Sequence, residues 1–117
     1  MTSALPLLGA VELGGTKCAC LIGTGPDDVR MRVSIPTATD PAVTLRLVQE
    51  ELRRGISTHG PVAALGIASF GPLDLDRHSP TYGSITSTPK PGWRHTPVAT
   101  TLGHRSRWPR APRAIGA

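Results

Sequence analysis

Aromatic side chains are nearly absent, with one Phe, one Tyr and two Trp in 117 residues, so core filling falls to Leu, Val, Ile and Ala. No stretch approaches the roughly 20 apolar residues of a membrane helix, and no membrane partner is expected. Met1–Ala10 has neither a positive n-region nor a long apolar run. That argues against a secretory signal and makes the cytoplasm the expected compartment. The GxxxxGK[ST] phosphate loop and the GxGxxG dinucleotide loop are both missing, and there is no internal repeat. Cysteine is confined to Cys18 and Cys20. In a strand both point to one face, which makes a disulfide between them implausible. As a zinc half-site the pair has nothing nearby to complete four ligands, so both read as buried structural thiols.

Acidic residues stop at Asp76. Met1–Trp93 holds eight Lys/Arg and eight Asp/Glu, whereas Arg94–Ala117 holds five Arg and no acid, so the tail carries the entire +5 net charge. Basic tails can bind nucleic acid or anionic membrane, and Trp93 and Trp108 offer stacking surfaces. The remainder is neutral, so nucleic-acid binding is a competing reading and not the leading one. Salt-sensitive, tail-dependent DNA binding would support it.

What is present begins with turn chemistry: 12 Pro and 13 Gly, short of a disordered composition. The length allows one domain with a real core. Leu7–Glu12 and Lys17–Gly23 read as strands around a Gly14-Gly15 turn. Val29–Ile35 alternates Val29, Met31, Val33 and Ile35 against Arg30, Arg32 and Ser34, as a half-exposed strand does. Three strands with tight turns make an antiparallel meander. Asp40 is an N-cap with Pro41 at the first helical position. Leu45, Val48, Leu52 and Ile56 then form one helical face, and Gly60-Pro61 ends it. Val62–Ala68, almost wholly apolar, reads as a buried strand in mid-sheet. After Ser69 periodicity fades into Pro- and Gly-punctuated loops with a short hairpin, and loops this long are usually functional or disordered.

Three segments carry candidate chemistry. In Glu12-Leu13-Gly14-Gly15-Thr16-Lys17 the glycines let backbone N–H groups approach an anion. Thr16 adds a donor and Lys17 a charge, and Glu12 can orient a hydrated Mg²⁺ near phosphates. Gly66-Ile67-Ala68-Ser69-Phe70-Gly71-Pro72-Leu73-Asp74 is a buried strand ending in a glycine-bounded loop, a common place for ligand contacts. Thr86-Ser87-Thr88-Pro89-Lys90-Pro91-Gly92-Trp93 sets hydroxyls, a Lys and an aromatic on a stiff loop able to grip a sugar. Each alone is better read as a plain turn or surface loop.

Together, over roughly residues 8–103, the three segments resemble the repressor/ORF/kinase (ROK) family of sugar kinases, in particular its bacterial fructokinases. The resemblance implies an α/β chain that is an incomplete N-terminal lobe of the actin-like, ribonuclease-H-like ATPase fold, ordered β-β-β-α-β and then loops. It implies phosphoryl transfer from ATP, with Mg²⁺, to the 6-hydroxyl of D-fructose. Gly14, Gly15, Thr16 and Lys17 would form the first phosphate loop, with Glu12 where many relatives have Asp. Gly71, Pro72 and Asp74 would border the cleft, and Thr88, Pro89 and Lys90 would lie near the sugar. Such kinases are often homodimers.

The family pattern also has parts with no counterpart here. Its catalytic Asp should follow the Pro-Gly-Trp loop, but no Asp or Glu follows Asp76, so no catalytic base is assigned. The His/Cys cluster for structural zinc, the second phosphate loop, the adenosine site and the second lobe are missing too. The chain is therefore expected to be inactive alone. Residues 104–117 read as a non-family basic tail, frameshifted and disordered. Such Arg-, Pro- and Ala-rich text is what GC-rich DNA gives out of frame, and one back-translation of Gly103–Pro109, shifted by a base, reads Asp-Ile-Ala-Leu-Gly-Gly. Without neighbours, the Val62–Ala68 strand should present an exposed edge prone to aggregation. Other readings are a kinase for another hexose such as glucose, or a non-catalytic sugar-binding module. A transcriptional repressor would need a helix-turn-helix before the first strand, where about six residues stand.

Overall fold

A computed structural model describes residues 5–104 and 113–116. The elements run β1 (Leu8–Leu13), β2 (Lys17–Gly25), β3 (Asp28–Pro36), α1 (Pro41–His59), β4 (Ala64–Ser69), α2 (Val98–His104) and β5 (Arg113–Gly116). They form one sheet in the order β3-β2-β1-β4-β5. The first three strands are the expected antiparallel meander, and β1–β4 and β4–β5 pair in parallel. The described residues contain no helix long and apolar enough to cross a membrane.

Alternation decides which face of the sheet is buried. Val11 and Leu13 of β1, Cys18, Cys20 and Ile22 of β2, and Leu65 and Ile67 of β4 all point to one side and are buried. Leu45, Val48 and Leu52 of α1 are buried in the same core. Fully burying a side chain of this size contributes about 1.5–3 kcal/mol. Helix and sheet approach closely at Gly55, where a Cβ would lie 2.5 Å from both Ile22 Cδ1 and Met31 Sδ. The α1 ends follow from local chemistry. Asp40 caps the start by accepting the Ala42 N–H at 3.0 Å, and Gly60, at φ 111°, ends the helix. Cys18 and Cys20 are free thiols on the buried face. Burial pushes the Cys20 thiol up to about 12, which makes it unreactive.

Two expectations need correction at β4. Its burial alternates instead of being complete: Leu65, Ile67 and Ser69 are buried, while Ala64 is exposed and Gly66 and Ala68 are half-buried. The apolar run hid this because its second face is made of small residues. Nor is β4 an open edge, because β5 pairs with Gly66–Ser69. That strand comes from the tail expected to be disordered. Residues 105–112, including Trp108 and most of the segment suspected of a frameshift, lie outside the described residues.

Between Phe70 and Pro97 the chain is irregular but tied. The Leu73–Ile85 bridge is flanked by Asp74 N–H to Ser84 O at 2.9 Å and Thr86 N–H to Pro72 O at 2.9 Å. Ile85 N–H in turn donates to Thr96 O at 2.8 Å. The helix α2, beyond the expected element order, buries Val98 and Leu102. It is held to α1 by Gln49 Nε2 donating to Thr101 O at 2.9 Å.

Candidate functional site

Parallel pairing puts the carboxyl ends of β1 and β4 side by side, with Leu13 opposite Ser69. The end of β3 reaches the same edge, since Pro36 pairs with Lys17. The β1–β2 hairpin tip, the loop after β4 and the β3–α1 turn therefore emerge together, where open α/β sheets commonly bind ligands.

The hairpin tip is exposed but held from behind. Gly14 N–H donates to Lys17 O at 3.1 Å, and Thr37 N–H donates to Thr16 O at 2.9 Å. The Thr37 hydroxyl donates to Gly14 O at 2.7 Å. Gly14 is demanded by the turn, because a Cβ there would lie 2.5 Å from Lys17 O, whereas a Cβ at Gly15 would meet nothing within 4 Å. Gly15, Thr16 and Lys17 all face solvent. Glu12 is exposed on the sheet face opposite α1, and its cross-strand neighbours on both sides are alanines, Ala19 and Ala68. Small neighbours leave room around the carboxylate.

The second and third segments meet each other. Pro72, Ser87, Thr88, Pro89 and Arg94 line one open depression of about 370 Å³. Of the residues assigned to sugar-side loops, Pro72, Thr88 and Pro89 are brought together; Gly71, Asp74 and Lys90 do not line this depression. Asp74 instead organises its own loop, accepting from Ser79 Oγ and Thr81 Oγ1, each at 2.6 Å, and from Asp76 N–H at 3.0 Å. These hydrogen bonds, Ser79 first, hold its carboxyl below the usual carboxylate range. The Lys90 N–H donates to Thr88 Oγ1 at 3.2 Å, shaping the turn before Gly92.

Trp93 joins this loop to the hairpin. It is fully buried. Its Nε1–H donates to Ala38 O at 2.8 Å, and its ring packs edge-on against Phe70 at 5.3 Å. Phe70 N–H in turn donates to Leu13 O at 2.9 Å, at the root of the hairpin. Gly92, at φ 85°, lies where a Cβ would collide with Thr39 O, so the loop sits directly on the β3–α1 turn.

Sequence reasoning passed over Thr37, Ser87 and Arg94. Arg94 had been counted with the charge of the tail, and Ser87 stood beside assigned residues without being assigned. Thr37 is one of four residues between β3 and α1, and nothing in its spacing marks it. Among the described residues no three His, Cys, Asp or Glu side chains gather to hold a metal.

The family model for the ROK family matches residues 8–111. A fructokinase from Pediococcus pentosaceus is 51% identical over 87 residues, which cover 74% of this chain and 28% of that protein. The ROK hexokinase from Thermus thermophilus superposes with a TM-score of 0.75 at 24% identity, over 94% of this chain and 35% of that one. A ROK family glucokinase from Streptomyces griseus, solved with glucose and AMPPNP, superposes with a TM-score of 0.65 at 21% identity, over 92% of this chain and 33% of that one. At these identities the two structures speak for the fold alone. The chain spans about a third or less of the length of each relative.

Proposed function

This chain belongs to the ROK family, and its fold is an incomplete N-terminal lobe of the actin-like ATPase fold; from that premise we propose that it is the N-terminal part of an ATP-dependent fructokinase and does not turn over alone. The observation that carries this reading is the convergence, at one end of the sheet, of the Gly14–Lys17 hairpin and the loop after β4. The 51% identity to a fructokinase supports fructose over another hexose.

The chemistry is transfer of a phosphoryl group to a sugar hydroxyl, which depends on positioning and on neutralising charge. Gly15, Thr16 and Lys17 face solvent at the tip and would receive phosphate oxygens. When bound with ATP, Mg²⁺ supplies charge neutralisation, and the exposed Glu12 carboxylate is the hard oxygen donor that suits its hydration shell. Ser87, Thr88 and Arg94 line a depression roomy enough for a hexose, and their hydroxyls and guanidinium would supply its polar contacts. The proton of the attacking hydroxyl needs an acceptor, and this sequence has no carboxylate after Asp76 to supply one. We assign a cytoplasmic setting and homodimerisation to the parent kinase by the same reading.

The test is a pair of ¹⁵N-resolved titrations of the full chain. Mg·AMPPNP should shift the Gly15 and Thr16 amides, and D-fructose should shift Ser87, Thr88 and Arg94 more than D-glucose does. A coupled assay for ADP with fructose should give no turnover. Larger shifts with glucose would transfer the proposal to that sugar. Silence of the hairpin amides at millimolar nucleotide would sink the phosphate-loop assignment.

A further inference from the structure

Thr37 contacts the hairpin tip twice, from behind. Its N–H donates to Thr16 O at 2.9 Å, and its hydroxyl donates to Gly14 O at 2.7 Å. The same hydroxyl lies 3.2 Å from Cys18 Sγ, so with its proton on Gly14 O it accepts from the thiol on the buried side. Thr37 is half-buried, whereas Gly15, Thr16 and Lys17 are exposed.

The consequence follows from peptide geometry. In a planar trans peptide, C=O and N–H point in opposite directions. With Gly14 C=O drawn onto the Thr37 hydroxyl, the Gly15 N–H on that peptide must point away from Thr37. Likewise, drawing Thr16 C=O onto the Thr37 N–H turns the Lys17 N–H away from β3. The turn contains two glycines, so its backbone has little conformational preference of its own. An outside residue has to choose among the orientations open to it.

We propose that Thr37 is a positioning residue for the phosphate loop: by holding the carbonyls of Gly14 and Thr16, it aims the Gly15 N–H outward at a phosphate oxygen. This rests on reading the hairpin as a phosphate loop and adds the residue that presets its donors. Preset donors matter because a dipole already aimed at the charge costs no reorganisation on binding. Thr37 heads the segment whose next residue accepts the Trp93 Nε1–H, so the orientation of the hairpin is tied to the sugar-side loop through Ala38.

The test compares Thr37→Val, which removes the hydroxyl and keeps the shape, with Thr37→Ser, which keeps the hydroxyl. Mg·AMPPNP binding to the full chain, read at the Gly15 amide, should weaken about tenfold in Thr37→Val, the loss of one hydrogen bond, and stay within about twofold of wild type in Thr37→Ser. Equal affinity in wild type and Thr37→Val would overturn the proposal. A second measurement needs no ligand: exchange of the Gly14 amide, whose partner is Lys17 O. It should speed up about tenfold in Thr37→Val and not in Thr37→Ser, with Val11 and Ile67 amides unchanged. If wild type binds no nucleotide, the phosphate-loop reading falls, and faster Gly14 exchange still supports Thr37 as the residue that orients the tip. Unchanged Gly14 exchange overturns that role as well. Thr37→Ala replaces Thr37→Val should valine disturb the core amides.

Discussion

Between Leu8 and Ser69 buried residues alternate along strands or recur along one helix face; between Phe70 and Pro97 they follow no period. In the first region β1, β2 and β4 bury alternate side chains, and the apolar contacts are spread over these three strands and α1. In the second, the backbone closes a small ladder around Leu73–Ile85, and two large side chains, Ile85 and Trp93, are fully buried, with Trp93 tied to the β3–α1 turn. Distributed burial tolerates the loss of one methyl group. A structure held by few large side chains is more sensitive to loss of one of them. The proposed ligand contacts are split between the two: the phosphate hairpin stands on the distributed core, and the depression at Ser87, Thr88 and Arg94 stands on the anchored loop.

The largest test of this contrast is Trp93→Ala. Removing a fully buried indole should cost about 3–5 kcal/mol in urea unfolding. The amides of Asp74, Ile85 and Thr86 should exchange before those of Val11 and Cys20. A loss below about 1 kcal/mol would mean the loop has other anchors and would break the comparison.

A change in the distributed core should be smaller and less local. Ile67→Val should cost about 0.5–1.5 kcal/mol and shift a single cooperative unfolding transition. Loop amides should keep their wild-type order of exchange. Selective loosening of the loop by this variant would show the two regions to be less separate than their contacts imply.

The smallest effect concerns Asp74, which is half-buried and acts within its own loop. Its carboxyl is held below its ordinary value by the Ser79 and Thr81 hydroxyls and the Asp76 N–H. A lowered native pKa means the ionised form is favoured in the folded loop. Its contribution is therefore present above the unfolded pKa of about 4 and is lost as pH falls through the native value. The Asp76 and Thr81 amide shifts should move in that acid window in wild type and stay flat in Asp74→Asn. An identical acid transition in both proteins would remove Asp74 as its source.

How far the site was legible depended on which region carried it. The hairpin residues Gly14, Gly15, Thr16 and Lys17 stood out because paired glycines between apolar strands have a local meaning. Asp40 and Pro41 at the start of α1 were legible for the same reason, since capping is set by neighbours in sequence. Asp74 drew attention as an acid beside Gly71-Pro72, yet its three donors lie between two and seven residues downstream and turn it inward. Arg94 was hidden by its place at the start of a basic stretch, although it lines the same depression as Pro72 and Ser87.

By itself the sequence determined the β-β-β-α-β order, the alternation along β3, the buried side of Cys18 and Cys20 and the Gly14-Gly15 turn, because periodicity and turn chemistry are properties of neighbours along the chain. Only the tertiary structure decided that β5 borders β4, that Trp93 reaches Ala38 across 55 positions and that Thr37 holds Gly14 across 23. Contacts that distant depend on how the sheet brings its strand ends together, and no local pattern encodes them.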